Sequence, residues 1–182
     1  MQSIMALDMS THSTGVAIFQ DKKLIKYTCI TSTNTDLCKR IKVMVEGIIK
    51  LYKEYEVTEV IAEEVLPEDV NNSQQTFKAL IYLQAALVLE MNKYKQKVQL
   101  VYVNTWRKAC GIQTGRNIHR KEAKAKDIEF VAQHYGISAN DDICDAICIG
   151  WAYLNKDLTE KKTKAPVRKR GYAIDIQEES AF

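Results

Sequence analysis

Four acidic side chains, Asp8, Glu63, Asp142 and Asp145, stand where a carboxylate needs a reason to be. Asp8 closes the apolar run Ile4-Met5-Ala6-Leu7. The C-terminal end of a buried strand is where open α/β sheets form their crevice, and a charge in that position is costly without a partner. Glu63 holds the matching place in Val60-Ile61-Ala62-Glu63, with Glu64 beside it. The pleat sends neighbouring side chains to opposite faces, so spacing alone leaves open which of the two lines the crevice. Asp142 and Asp145, three apart, share a face of the helix that they open, while Asp141 falls off that face. Their place at a helix start also suits capping and the helix dipole. Acids that converge repel one another and stay ionised only with cations between them. Oxygen-only donors select hard ions, Mg²⁺ or Mn²⁺. Two such ions about 3.5–4 Å apart activate a water and stabilise the leaving oxygen of a phosphodiester. The chemistry implied is phosphodiester hydrolysis.

The elements that must position these acids follow from periodicity. Residues 3–8, 15–19 and 24–31 read as strands, with a polar turn at Gln20-Asp21-Lys22-Lys23, and form an antiparallel meander. Leu37, Ile41, Met44, Val45, Ile48, Ile49, Leu51 and Tyr52 recur with helical period over 36–55. Residues 57–63 read as a strand buried on both faces. Asn71-Asn72-Ser73 could cap a helix over 73–94, whose core-type spacings fall on Phe77, Leu80, Ile81, Leu83, Ala85, Leu87 and Val88. A strand over 98–103, a short helix through Trp106–Cys110 and helices over 120–135 and 141–154 complete the order. The result is a mixed sheet flanked by helices, an α/β layer architecture. The pattern predicts one domain over 1–156 and a basic tail over 157–182.

Composition agrees with a single globular domain: 182 residues, 46% hydrophobic, 27% charged, with 7 Gly and 2 Pro. No signal-peptide pattern opens the chain, and the expected location is the cytoplasm. Five cysteines without a CxxC pair suggest small buried thiols in a reducing compartment; Cys144 and Cys148 share a helix face without nearby zinc partners. Net charge is only +3, yet Lys161, Lys162, Lys164, Arg168, Lys169 and Arg170 crowd one segment and 116–126 is a second basic stretch. Local basic patches on a near-neutral chain suit a phosphate-bearing partner met on one surface, or else a solvated face.

From Ser3 to about Leu154 the chain resembles the RuvC family of Holliday junction resolvases, above all variants encoded by phages of Gram-positive bacteria. The likeness rests on Leu7-Asp8 followed by Ser10 to Gly15, on Ile61-Ala62-Glu63-Glu64-Val65, and on Asp142-x-x-Asp145-Ala146. It implies an RNase H-like fold with a five-stranded sheet, three strands antiparallel and two parallel. It also implies a homodimer that nicks four-way DNA junctions with Mg²⁺ or Mn²⁺, and it selects Glu63 over Glu64 as ligand. By position, Lys124 resembles the family's lysine that assists the scissile phosphate, with Lys121 one turn before it. Arg107 and Lys108 resemble another basic position; Arg116 and Arg120 join them as candidate DNA contacts. In the bacterial enzymes an aromatic residue follows the glutamate by three and wedges into the junction. Leu66 stands there instead, which points to broader branched-DNA cleavage. Phe77 and Tyr82 could replace the ring, but their helix spacing assigns them to the core.

Other functions share parts of this pattern. A different RNase H-like nuclease, acting on RNA, RNA–DNA hybrids or other recombination intermediates, would need the same acids. Leu7-Asp8-Met9-Ser10 followed by Ser13-Thr14-Gly15 also resembles the first phosphate loop of actin-like ATPases and sugar kinases, which need a second similar domain and a glycine-rich adenosine loop. A catalytically silent DNA-binding module would have no use for a repulsive acidic cluster.

Overall fold

The computed structural model describes residues 2–67, 73–113 and 120–155; the predicted tail and Arg116 lie outside these. Five strands form one sheet in the order β3-β2-β1-β4-β5. Strands β1 (Ser3–Asp8), β2 (Ser13–Gln20) and β3 (Lys23–Thr31) are the antiparallel meander. Its hairpin turns at Asp21 and Lys22, both with positive φ (46° and 68°), the two-residue geometry that matches strand twist. Strands β4 (Glu59–Glu63) and β5 (Val98–Val101) run parallel to β1, as expected of strands joined through helices. This is the mixed sheet that the sequence pattern predicts.

Helices α1 (Leu37–Glu54) and α2 (Gln74–Asn92) supply those crossovers, each opened by a side-chain cap. Asp36 accepts from the Lys39 N–H at 2.9 Å, and Ser73 accepts from that of Thr76 at 3.3 Å. Met44 and Ile48 of α1 and Leu83, Leu87 and Met91 of α2 pack on Met5, Leu7, Val16, Ile18, Val60 and Ala62. The opposite face, Ile4, Ala6, Ala17, Phe19 and Ile61, is covered by α3 (Val103–Ala109), α4 (Arg120–Tyr135) and α5 (Asp141–Asn155). Alternation along each strand thus sorts the side chains into two cores on either side of the sheet. Among the described residues, no helix is long and apolar enough to cross a membrane.

Two expectations change. Strand β4 begins at Glu59 rather than Val57, and its end residues Glu59 and Glu63 are only half-buried. On α2 the buried stripe is Leu83, Gln84, Leu87 and Met91, whereas Ala85 and Val88 face outward and Phe77 is half-buried. Tyr82 and Leu89, exposed by 55% and 68%, are not core residues. The helix is apolar on more than one side, so periodicity could not say which side meets the sheet.

Candidate active site

The register of the sheet brings the first two acids together. Leu7 of β1 pairs with Ala62 of β4, so Asp8 and Glu63 occupy the next rung of two parallel strands. Ile4 and Ala6 on one strand and Ile61 on the other point into the α3–α5 layer, and alternation sends Asp8 and Glu63 to that same side. Glu64 has the other parity, and its backbone N–H donates to the Val101 carbonyl at 2.8 Å. The pleat therefore separates the two glutamates that spacing left open.

Helix α5 brings Asp142 and Asp145 across from the far end of the chain. Its first turn rests on Gly15, the β2 residue paired with Asp8: a Cβ there would lie 1.9 Å from the Asp142 carbonyl oxygen. Farther along, a Cβ on Gly150 would meet the Phe19 ring at 2.2 Å, so two glycines let the helix lie flush on the sheet. Asn140 caps α5, its side chain accepting from the Ile143 N–H at 3.0 Å. That leaves Asp142 and Asp145 for other work. Ser13 Oγ donates to Asp142 Oδ2, and Cys29 Sγ lies 3.0 Å from the same hydroxyl. Ser10 and Thr14 tie the intervening loop with reciprocal bonds of 2.7 and 3.2 Å.

The electrostatics are those of an overcrowded acidic pocket. Burial, then the charges of Glu63 and Asp142, hold the Asp8 carboxyl well above the usual carboxylate range. Burial, then Asp8 and Asp127, push Asp145 up to about 9 against the pull of Arg107. The Asp145 Oδ1 atom is buried with no hydrogen-bond partner. Lys124 reaches into this field from α4 and pairs with Asp141. Burial works against its charge, but the Asp141 bond and the fields of Asp145, Asp141 and Asp8 outweigh it and raise its pKa. The same bond lowers the pKa of Asp141.

Of the predicted basic contacts, Lys121 and Lys108 are exposed. Arg120 is the first residue of α4 and its side chain, like the whole of Arg116, lies outside the described part. The Arg107 side chain is 12% exposed and forks onto Asp127 with N···O distances of 3.3, 3.1 and 2.7 Å. Three participants have roles that the sequence does not reveal. Ser13 lies inside the Ser10 to Gly15 motif without a role of its own there, Asp127 gives no signal beyond its residue type, and Trp106 donates its indole N–H to Glu63 Oε2 at 2.8 Å.

The donor set is oxygen only, with one buried carboxylate oxygen unpartnered and two carboxyls raised by burial and then by neighbouring acids, which fits a hard divalent cation. Among the described residues no three His, Cys, Asp or Glu side chains already stand close enough to hold a metal ion. Ser13 donates to Asp142 Oδ2 and Trp106 to Glu63 Oε2, so each of these carboxylates is held through one oxygen. Asp8, Glu63, Asp142 and Asp145 are the residues that would hold the cation. All five cysteines are free, Cys144 and Cys148 buried but Cys38 exposed.

No protein-family model matches the chain, and no curated protein matches it in sequence. Solved structures do. A structure of Thermus thermophilus RuvC in complex with Holliday junction substrate superposes with a TM-score of 0.67, covering 85% of this chain and 93% of that one at 10% identity. The chain has a RuvC-like fold. A second Thermus thermophilus RuvC structure gives a TM-score of 0.61 at 12% identity, covering 84% of this chain and 93% of that one. At such identities the shared feature is the architecture, the five-stranded RNase H-like sheet with its flanking helices.

Proposed function

We propose that this protein is a metal-dependent endonuclease that nicks branched DNA, including four-way junctions. The observation that carries this is the convergence of Asp8, Glu63, Asp142 and Asp145 at one end of a RuvC-like sheet. Bound Mg²⁺ or Mn²⁺ supplies an activated water and charge neutralisation at the scissile phosphate. The protein's own groups do the rest. The four acids bind the cation, Ser13 orients Asp142, and Lys124 presents a positive charge to a phosphate entering beside Asp8. Exposed Lys108, next to Arg107 on α3, and exposed Lys121, one turn before Lys124 on α4, suit backbone phosphates. Branched DNA is favoured as substrate by the likeness to a RuvC whose structure holds a Holliday junction substrate. The outward face of α2, with Tyr82, Val88 and Leu89 exposed, is apolar enough to pair two copies, which would set two sites on one junction.

The test is nicking of synthetic four-way, three-way, flap and linear DNA and of an RNA–DNA hybrid in Mg²⁺. Asp8→Asn is expected to abolish nicking while junction binding is kept. A folded wild-type protein that cuts no branched DNA refutes the proposal, and cleavage confined to the hybrid selects the RNase H-type alternative.

A further inference from the structure

We infer that Trp106 and Arg107 of α3, anchored by Asp127 of α4, are positioning residues that orient Glu63 and Asp145 for metal binding. The inference rests on the metal-dependent reading above, and none of the three residues is a candidate ligand.

Trp106 is wholly buried, so its indole N–H needs a partner, and it donates to Glu63 Oε2 at 2.8 Å. One oxygen of the glutamate is thereby fixed in direction by a rigid ring. Arg107 lies over that ring, its guanidinium carbon 4.7 Å from the centroid, and forks onto Asp127. Asp127 has no exposed surface, and a buried carboxylate is tolerable only when paired and hydrogen-bonded, so the pair is held tightly. The guanidinium also stands 3.8 Å from Asp145 Oδ2. That is too long for a hydrogen bond but close enough to bias the carboxylate electrostatically. Asp145 is steadied from one side while its Oδ1 has no partner.

Charge explains why this device suits a metal site. Arg107 and Asp127 cancel, so the strut holds Asp145 without neutralising the four acids that must attract a cation. A solvated lysine in the same place could not fork onto Asp127 and would be free to swing into the pocket. Three neighbouring elements, α3, α4 and the end of β4, thus act as one frame behind two of the acids. Groups of this kind behind metal ligands typically change metal affinity by about 10–100-fold when altered.

Trp106→Phe keeps the ring and deletes the donor; Arg107→Lys keeps the charge and deletes the fork. Mn²⁺ affinity is measured by calorimetry on the DNA-free full chain, with folding checked by circular dichroism. Nicking is then followed across a Mn²⁺ titration. Each variant is expected to bind Mn²⁺ about tenfold more weakly. The metal concentration for half-maximal nicking should move with it, with the rate largely restored at saturating Mn²⁺. Four-way junction binding in EDTA should stay at the wild-type level, whereas Lys108→Ala should weaken junction binding and leave Mn²⁺ affinity alone. A merely structural role would lower the folded fraction at every metal concentration without moving the half-saturation point. Mn²⁺ affinity unchanged in the folded variants overturns the inference, as does an Arg107→Lys protein whose only defect is in DNA binding. If Trp106→Phe fails to fold, Arg107→Lys decides alone. A wild-type protein that shows these metal shifts but cuts no branched DNA upholds the positioning role and refutes the substrate. One that binds no Mn²⁺ refutes both.

Discussion

Asp145→Asn should make the metal-free protein more stable while destroying its activity. The Asp145 carboxyl, ordinarily near 3.8, is pushed up to about 9 by burial and by Asp8 and Asp127. At pH 7 the folded state must therefore hold a proton that the unfolded chain has released. The gap of about three pH units, at about 1.36 kcal/mol each, sets a ceiling near 4 kcal/mol on that cost. The repulsion is shared with Asp8, and the variant forfeits its attraction to Arg107, so about 1–2 kcal/mol of gain is expected. For a chain of this size that is a rise in Tm of roughly 2–8 °C. The pH dependence gives the sharper check. A carboxyl whose folded pKa lies above its unfolded value costs nothing below the unfolded pKa, and its cost grows until the folded pKa is passed. The advantage of the variant should vanish near pH 4, increase through pH 8 and level off beyond about pH 9. Thermal and urea unfolding of both proteins in EDTA at several pH values measures it. An Asp145→Asn protein that is less stable at pH 8, or whose advantage does not change with pH, refutes the account of the pocket as mutually repelling acids.

Two other substitutions probe the scaffold. Gly15→Ala places a methyl against the Asp142 carbonyl, so α5 must shift; a stability loss of about 1–3 kcal/mol in urea and a large drop in nicking are expected. Leu89→Arg, on the exposed side of α2, should leave folding intact and convert a dimer to a monomer in light scattering. A dimer that survives this change is assembled through another surface.

The order and type of the elements were legible because each has its own signal: strands from apolar runs and alternation, α1 from its 3.6-residue stripe, the start of α2 from the Asn71-Asn72-Ser73 run, of which the structure uses Ser73. The face of α2 that meets the sheet was not legible, because a helix apolar on more than one side carries a weak directional signal. Asp8 and Glu63 could be placed at strand ends, but choosing Glu63 needed either the family resemblance or the β1/β4 register. Arg107 shows the deeper limit. Its neighbours in sequence mark it as one of several basic residues, and only the fold brings Asp127, twenty positions away and on another helix, to its guanidinium. A side chain's partner across elements is a property of packing, and no spacing rule within one element encodes it.

Helix α5 docking on β1 and β2 has a consequence for biosynthesis. The acids come from residue 8 and from residues 142–145, so a partial chain that stops before α5 lacks half of the cluster. Until α5 arrives, Ile4, Ala6, Ala17 and Phe19 form an uncovered apolar surface, a state prone to sticking and to chaperone capture. Closing a loop of that sequence separation is slow compared with forming a hairpin. The last of the described helices is thus the one that completes the acidic cluster, and a product truncated before it would lack Asp142 and Asp145.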